Sequence, residues 1–371
     1  MKKVSIVSTS RGTAAGLQEA LDRLGGLARF VTRGDRVMVK PNLNGDCVTD
    51  LGLTEALIRL LLDLAPKEVF IAESTFGDAA NTRFFFQKSG YAELAGRYGL
   101  RLVNLNESEA VETPVARPLA LEKLKLAREV FEADRLINLP KMKVHYATGV
   151  SLALKNLKGL LVGDEKKHFH DVGLDRAIVD LNNTVPVHLN IVDAITGMER
   201  LGPHGGDLVR PDLLIAGAAA WRTDCVGIRV MDYELKEVGH LARYLEVNGL
   251  DPADVELAGL GIEAARHPFK KVNMANLLPP NIRVRQRNAC CACLNALILS
   301  GRFLERPPAA PVEVCLGSLP EASVAGCPQI AFGNCAVKRC GPGLPKVEGC
   351  PPYPFELKKV LERNFKKAEG N

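Results

Sequence analysis

Apolar positions along the chain fall into two alternating patterns. Short aliphatic runs at Val4–Val7, Arg36–Lys40, Glu68–Ala72, Leu100–Asn104, Asp134–Leu139, Leu189–Val192 and Asp212–Ala216 read as strands. Between them leucines recur at helical spacing. Leu17, Leu21, Leu24 and Leu27 mark one helix within Leu17–Val31. Leu57, Leu61 and Leu64 mark a second, for which Thr54 is the expected cap, and Phe84–Tyr98 reads as a third, ended by Gly99. This β-α-β-α order, with strands apolar on both faces, predicts an α/β fold: a mostly parallel sheet with helices on both faces.

In such sheets ligands gather beyond the carboxyl ends of the strands. Polar groups cluster just past several expected strand ends, in Lys40-Pro41-Asn42, Glu73-Ser74-Thr75 and Lys141-Met142-Lys143-Val144-His145. Lys40, Lys141, Lys143, Lys155 and Lys158 together suit a phosphate or carboxylate ligand, although Lys155 and Lys158 also read as solvated lysines on a helix face. Lys40, Lys143, His145 and Asp193 are the candidate catalytic groups. Lys155, Lys158, Glu73 and His204 are the candidate cofactor- or ligand-binding groups; His204 sits in the flexible-looking Gly202-Pro203-His204-Gly205-Gly206. The bland alternatives are helix capping for Asp193 and ordinary hydrogen bonding for the histidines. His168 and His170 would share one face if that segment were extended. Neither a Gly-x-Gly-x-x-Gly fingerprint nor a P-loop follows the first strand, which disfavours an ordinary nicotinamide dehydrogenase or ATPase.

Composition narrows this further. With 371 residues, two domains are expected, and Pro279-Pro280 marks the boundary between residues 1–280 and 281–371. Apolar residues at 47% and charged residues at 25% exclude wholesale disorder, and a net charge of +5 is too mild for a nucleic-acid scaffold. No run approaches the ~18 apolar residues of a membrane span. The Met-Lys-Lys start lacks the apolar stretch of a signal peptide, so a cytoplasmic location is expected.

Cysteine breaks the uniformity. Of ten cysteines, eight lie between Cys290 and Cys350, while the preceding 289 residues carry only Cys47 and Cys225. In a reducing compartment a local cluster of thiols points to metal or redox chemistry rather than to a disulfide framework. Thiolates suit an iron–sulfur cluster, with a Cys₄ zinc site as the rival. Cys315, within Val312-Glu313-Val314-Cys315-Leu316, reads as part of a buried strand. Cys291, Cys327 and Cys340 stay open between inert thiols and part of a second cluster.

The phrases Gly333-Asn334-Cys335-Ala336 and Gly349-Cys350-Pro351-Pro352-Tyr353-Pro354 resemble the proximal-cluster region of nickel–iron hydrogenase small subunits and the cluster-bearing subunit of respiratory complex I. That resemblance implies a [4Fe–4S] cluster held by Cys290, Cys293, Cys335 and Cys350, in a small cysteine-rich C-terminal iron–sulfur domain. Over residues 1–270 the phrases Val39-Lys40-Pro41-Asn42-Leu43, Leu139–His145, Leu152–Leu160 and Asp193–Glu199 resemble the family called domain of unknown function 362. The chain departs from that family's pattern at Val162-Gly163 and at Ala219–Asp224.

The expected function is an iron–sulfur oxidoreductase or electron-transfer protein with a small anionic ligand at the α/β domain and a redox partner protein. The alternatives are a non-redox enzyme with a structural metal module and a cluster scaffold or maturation protein. Leu157–Gly163 is similar, over a short stretch, to the lysine-bearing segment of nickel-pincer lactate racemases.

Overall fold

The computed structural model describes residues 1–272, 277–287, 289, 291–317, 326–341 and 343–365, leaving aside the side chains of residues 291, 292, 295 and 302. The chain divides into two compact units, Met1–Val272 and Asn273–Asn371. That division falls ahead of the Pro279-Pro280 pair.

The first unit is built on a mixed sheet. Its strands run, edge to edge, Glu256–Gly259, Lys3–Ser8, Leu213–Gly217, Leu189–Glu199, Arg135–Asn138, Arg36–Lys40, Glu68–Glu73 and Arg101–Asn104. From Leu189–Glu199 to Arg101–Asn104 the pairing on this path is parallel, as the β-α-β order requires. Leu213–Gly217 is antiparallel to both of its neighbours, so the expected mostly parallel sheet carries a reversed strand inside it. Glu256–Gly259, too polar and glycine-rich to stand out in the sequence, pairs in parallel with the first strand.

Alternate side chains of these strands (Val7, Val37, Val39, Ile137, Ile191 and Leu214) pack against Leu17 and Leu21 of the helix Thr13–Arg23 and Leu53, Leu57 and Leu61 of Leu51–Asp63. The helix Ala220–Val230 packs on the other side of the first strand, Leu213–Gly217 and Leu189–Glu199.

Several element bounds differ from the sequence reading, each for a local reason. Asp50, rather than Thr54, caps Leu51–Asp63, its carboxylate accepting from Leu53 N–H at 2.8 Å. The first helix stops at Arg23 because Gly25 and Gly26 both take positive φ. Gly90, at φ 76, splits the expected third helix into Ala79–Lys88 and Tyr91–Tyr98. Lys141–His145 is itself a strand rather than a loop. It lies parallel to Leu189–Glu199, which runs on through Asp193 instead of ending at Val192.

The second unit holds four parallel strands in the order Ile282–Arg287, Val312–Gly317, Gln329–Phe332 and Lys346–Val347. Val314, Leu316, Ile330 and Phe332 form its core with Leu297 of the helix Cys291–Arg302 and Leu357 of Pro354–Asn364. No described helix is long and apolar enough to cross a membrane.

Candidate functional site

Two adjacent parallel strands end in opposite charges. Lys40 closes Arg36–Lys40, Glu73 closes Glu68–Glu73, and their side chains meet at 3.0 Å with both residues buried. The second carboxylate oxygen of Glu73 accepts from the N–H of Ser74 at 2.7 Å. Burial pushes the Glu73 carboxyl up and the Lys40 ammonium down; each partner opposes the shift of the other. Gly159 lies flush against this pair. A Cβ at that position would overlap the Glu73 carboxylate and stand 2.7 Å from Lys40 Nζ.

The strand Lys141–His145 contributes two more buried lysines. Lys141 pairs with Asp193 at 2.8 Å, and Asp193 also accepts from the N–H of Asp50 at 2.6 Å and of Ile195 at 3.0 Å. Asp193 therefore ties a strand to the start of a helix from mid-strand. Lys143 donates to Asn42 Oδ1 at 2.7 Å, Asn44 O at 2.8 Å and Cys47 O at 2.9 Å, which uses all three of its N–H bonds. Burial lowers its pKa to about 8.

Asn42 begins a chain of amides that runs under the site. Its amide donates to Asn156, Asn156 to Asn138, and Asn138 to Asn190, at 2.8, 2.7 and 2.9 Å. Asp224 anchors the turn that carries Lys155 and Lys158, accepting from Ala153 N–H at 2.7 Å and Leu154 N–H at 3.0 Å.

Above this floor lie further basic groups. Lys155 lies in the last turn of the short helix Ala153–Asn156, and Lys158 lies on the following turn, Leu157–Leu160. Lys158 Nζ is 2.6 Å from His170 Nε2. Two positive charges at that separation repel by about 6 kcal/mol in an effective dielectric of about 20, so the two nitrogens share one proton. Burial, then Lys158 and Lys155, push His170 down to about 2. Burial likewise holds His145 far below its usual range, and the charges that add to this are Lys155, Lys158, His170 and Lys143, all basic. Lys166 donates to Thr75 O at 3.0 Å and Asn106 Oδ1 at 2.9 Å, and burial brings it to about 7. Beside Asn106 opens a cleft of about 520 Å³, lined also by Ser108, Lys125 and His168.

The structure thus gathers Lys40, Glu73, Lys143, His145, Lys155 and Lys158 around one end of the sheet. His204 lies further out. It contacts Asp46 at 3.2 Å across the junction of the Gly202–Gly206 loop with the loop after Lys40. His168 and His170 do not share a face, because Glu165–Val172 is helical: His170 turns to Lys158, and the half-exposed His168 turns to Glu165. Lys166 was not singled out in the sequence. The buried Phe169, three positions on, marks the face it shares.

In the second unit, Cys293 is buried on the helix Cys291–Arg302, Cys335 lies on the short helix Asn334–Val337, and Cys350 follows Gly349. Gly333, at φ 89, presses its backbone against Cys293; a Cβ there would stand 2.7 Å from the sulfur. The flanking loops are cross-bonded: Asn334 N–H donates to Gly349 O at 2.9 Å, and Gly349 N–H donates to Asn334 Oδ1 at 2.8 Å. Cys290 lies outside the described residues. Among the described residues no three His, Cys, Asp or Glu side chains are grouped to hold a metal ion. Cys315 is buried in its strand, and burial raises its thiol to about 11.

Comparison with known proteins shows the family. A thylakoid-associated protein of Synechocystis is 28% identical over 274 residues, covering 69% of this chain and 83% of its own. Two solved structures are similar at lower identity. A Thermotoga maritima protein aligns over 82% of this chain and 70% of its own at 14% identity, TM-score 0.41. The lactate racemase apoprotein of Thermoanaerobacterium thermosaccharolyticum aligns over 92% of this chain and 72% of its own at 10% identity, TM-score 0.42. The profile of one protein family matches residues 37–229, from the strand that ends in Lys40 to the helix that carries Asp224. That span is more than half of the chain and holds nearly every residue of the site, so the chain belongs to the family described as domain of unknown function DUF362.

Proposed function

We propose that this protein is an iron–sulfur oxidoreductase or electron-transfer protein that binds a small anion at the α/β unit. The carrying observation is the gathering of basic groups around His145, where burial is joined by the influence of Lys155, Lys158, His170 and Lys143. Glu73 is already engaged by Lys40, and Asp193 by Lys141. A phosphate or carboxylate suits a set of basic groups in a site where burial strengthens each contact.

For the second unit the reading takes up the [4Fe–4S] group implied by the cysteine phrases. Cys293, Cys335 and Cys350 sit on segments tied together through Gly333, Asn334 and Gly349, and Gly333 leaves space at the Cys293 sulfur that a side chain would fill. Cys290 is the fourth ligand in this reading. When bound, such a cluster supplies one-electron chemistry. The protein's own part is to hold the thiolates, with glycines admitting the backbone close to them, and to orient the anion.

The test is iron, sulfide and zinc analysis of protein purified without oxygen, with and without Cys335→Ser and Cys350→Ser. Iron and sulfide near four each per chain, with broad absorption near ~400 nm that bleaches on reduction, support the reading. A colourless, zinc-loaded protein overturns the redox half.

A further inference from the structure

The positive charge of the chain belongs to its second unit. Asn273–Asn371 carries 13 basic and 7 acidic residues, whereas Met1–Val272 carries 35 and 36. The same unit exposes three aromatic rings together. Phe303, just past the helix Cys291–Arg302, lies 4.0 Å from Phe355 between ring centroids, and Tyr353 lies near-parallel to Phe355 at 6.1 Å. Tyr353 is 70% exposed, Phe355 46% and Phe303 38%. Aromatic rings gathered in water in this way mark an interaction surface.

The rings continue from the cysteine loops. Tyr353 follows Cys350 by three residues, a reach of about 11 Å at most. Pro352, between them, pairs with Gly349 and packs close to Gly333. Asn334 is bonded to Gly349 in both directions, which sets the exposed Cys335 beside the Cys350 loop. The short helix of Cys335 leads directly into Lys338 and Arg339, both exposed. Among the described residues neither of these makes an ion pair, whereas Lys358 and Lys359 are held by Glu305 and Glu356.

We propose that the ledge of Tyr353, Phe355 and Phe303 docks an acidic redox partner protein. The inference rests on the iron–sulfur reading above and adds where the partner sits and what charge it bears. Charge complementarity selects a surface rich in Asp and Glu. Lys338 and Arg339 steer that surface to the cysteine loops, which speeds encounter more than it tightens the complex. Tyr353 and Phe355 supply the apolar contact that holds it. A second copy of this chain would bring like charge to the ledge, because its second unit is equally basic. Continuity with the loops of Cys335 and Cys350 favours a redox protein over an anionic lipid surface of the same charge.

Two acidic electron carriers serve as probes, a [2Fe–2S] ferredoxin and a flavodoxin, with basic cytochrome c as the counter-probe. Affinity for the full-length protein, purified without oxygen, is measured by calorimetry at low and high salt, and association rate by stopped flow. Iron and sulfide are measured on the same preparation. At least one acidic carrier binds, and more weakly as salt rises. Tyr353→Ser weakens that binding roughly tenfold or more, with the unfolding midpoint unchanged. Lys338→Glu combined with Arg339→Glu slows association and flattens the salt dependence. Iron-loaded protein that binds neither carrier, or that binds one equally well after both sets of substitutions, overturns the inference and leaves the redox reading standing. Equally tight binding of cytochrome c does the same, as does a Tyr353-dependent dimer in sedimentation. Tyr353-dependent binding to phosphatidylserine vesicles, with no carrier bound, assigns the ledge to a membrane surface and also overturns it. A colourless, zinc-loaded protein overturns both.

Discussion

Gly159→Ala tests the floor of the site. The substitution adds one methyl group to a turn whose backbone φ suits any residue, so strain at φ does not enter. The new carbon would overlap the Glu73 carboxylate and stand 2.7 Å from Lys40 Nζ, well inside contact distance for a carbon. One of the two charges must move. Both are buried, and neither has water to turn to. Removing one partner from a buried ion pair costs about 3–5 kcal/mol. For a unit of this size that corresponds to a fall in Tm of about 5–9 °C. Ser74 follows the displaced carboxylate and bonds to the Gly159 carbonyl at 2.7 Å, so the turn bearing Lys158 shifts as well and anion affinity falls with stability. The control is Gly96→Ala, in the middle of Tyr91–Tyr98 with open space around it, which gains about 0.5–1 kcal/mol from helix propensity. Thermal and urea unfolding of the two variants decides the matter. A Gly159→Ala protein within 1 °C of the parent would refute the packing described for Lys40 and Glu73.

Four further outcomes follow from the same geometry. Lys143→Met leaves Asn42, Asn44 and Cys47 without their shared donor and destabilises by about 3 kcal/mol, read as a lower urea midpoint. His204→Ala removes an exposed-loop pair with Asp46 and changes the unfolding free energy by under about 1 kcal/mol; a larger loss would place His204 inside the structural network. His170 stays neutral in the fold at about 2 but becomes cationic in the unfolded chain below about pH 6.5. Its contribution is therefore full above that pH and is lost on acidification, by about 2 kcal/mol at pH 5. Urea midpoints at pH 7 and 5 measure this, and His170→Gln should narrow the gap between them. Cys335→Ser lowers bound iron, whereas Cys315→Ser, in a buried strand, leaves iron content unchanged and lowers stability instead.

The parallel half of the sheet was legible because its strands obey simple rules: aliphatic runs buried on both faces and ended by a charged or proline residue. Lys40 and Glu73 were visible for that reason. Lys141–His145 was not, since Lys, Met, Lys, Val and His in succession read as a polar loop. The strand exists because Asp193 neutralises Lys141 and three oxygens take every proton of Lys143. Buried lysines of this kind break the rule on which sequence reading depends. The amide chain from Asn42 to Asn190 was missed for a related cause: asparagine in isolation signals a turn, and only its partners reveal a strand. The short Lys158–His170 contact required knowing that residues 165–172 are helical, because an extended segment would have paired His170 with His168.

The reversed strand Leu213–Gly217 has a consequence for the order in which the protein is made. Lys3–Ser8 leaves the ribosome long before either of its sheet neighbours, Leu213–Gly217 and Glu256–Gly259. At about 5–20 residues per second, its first partner appears about 10–40 s later. Until then Val7 can pack on the helix Thr13–Arg23, whereas Val4 and Ile6, on the opposite face of the strand, await the helix Ala220–Val230. The segment matched by the DUF362 profile begins after this strand and ends before Glu256, so nascent chains can assemble the lysine-bearing centre first and close the sheet edge last.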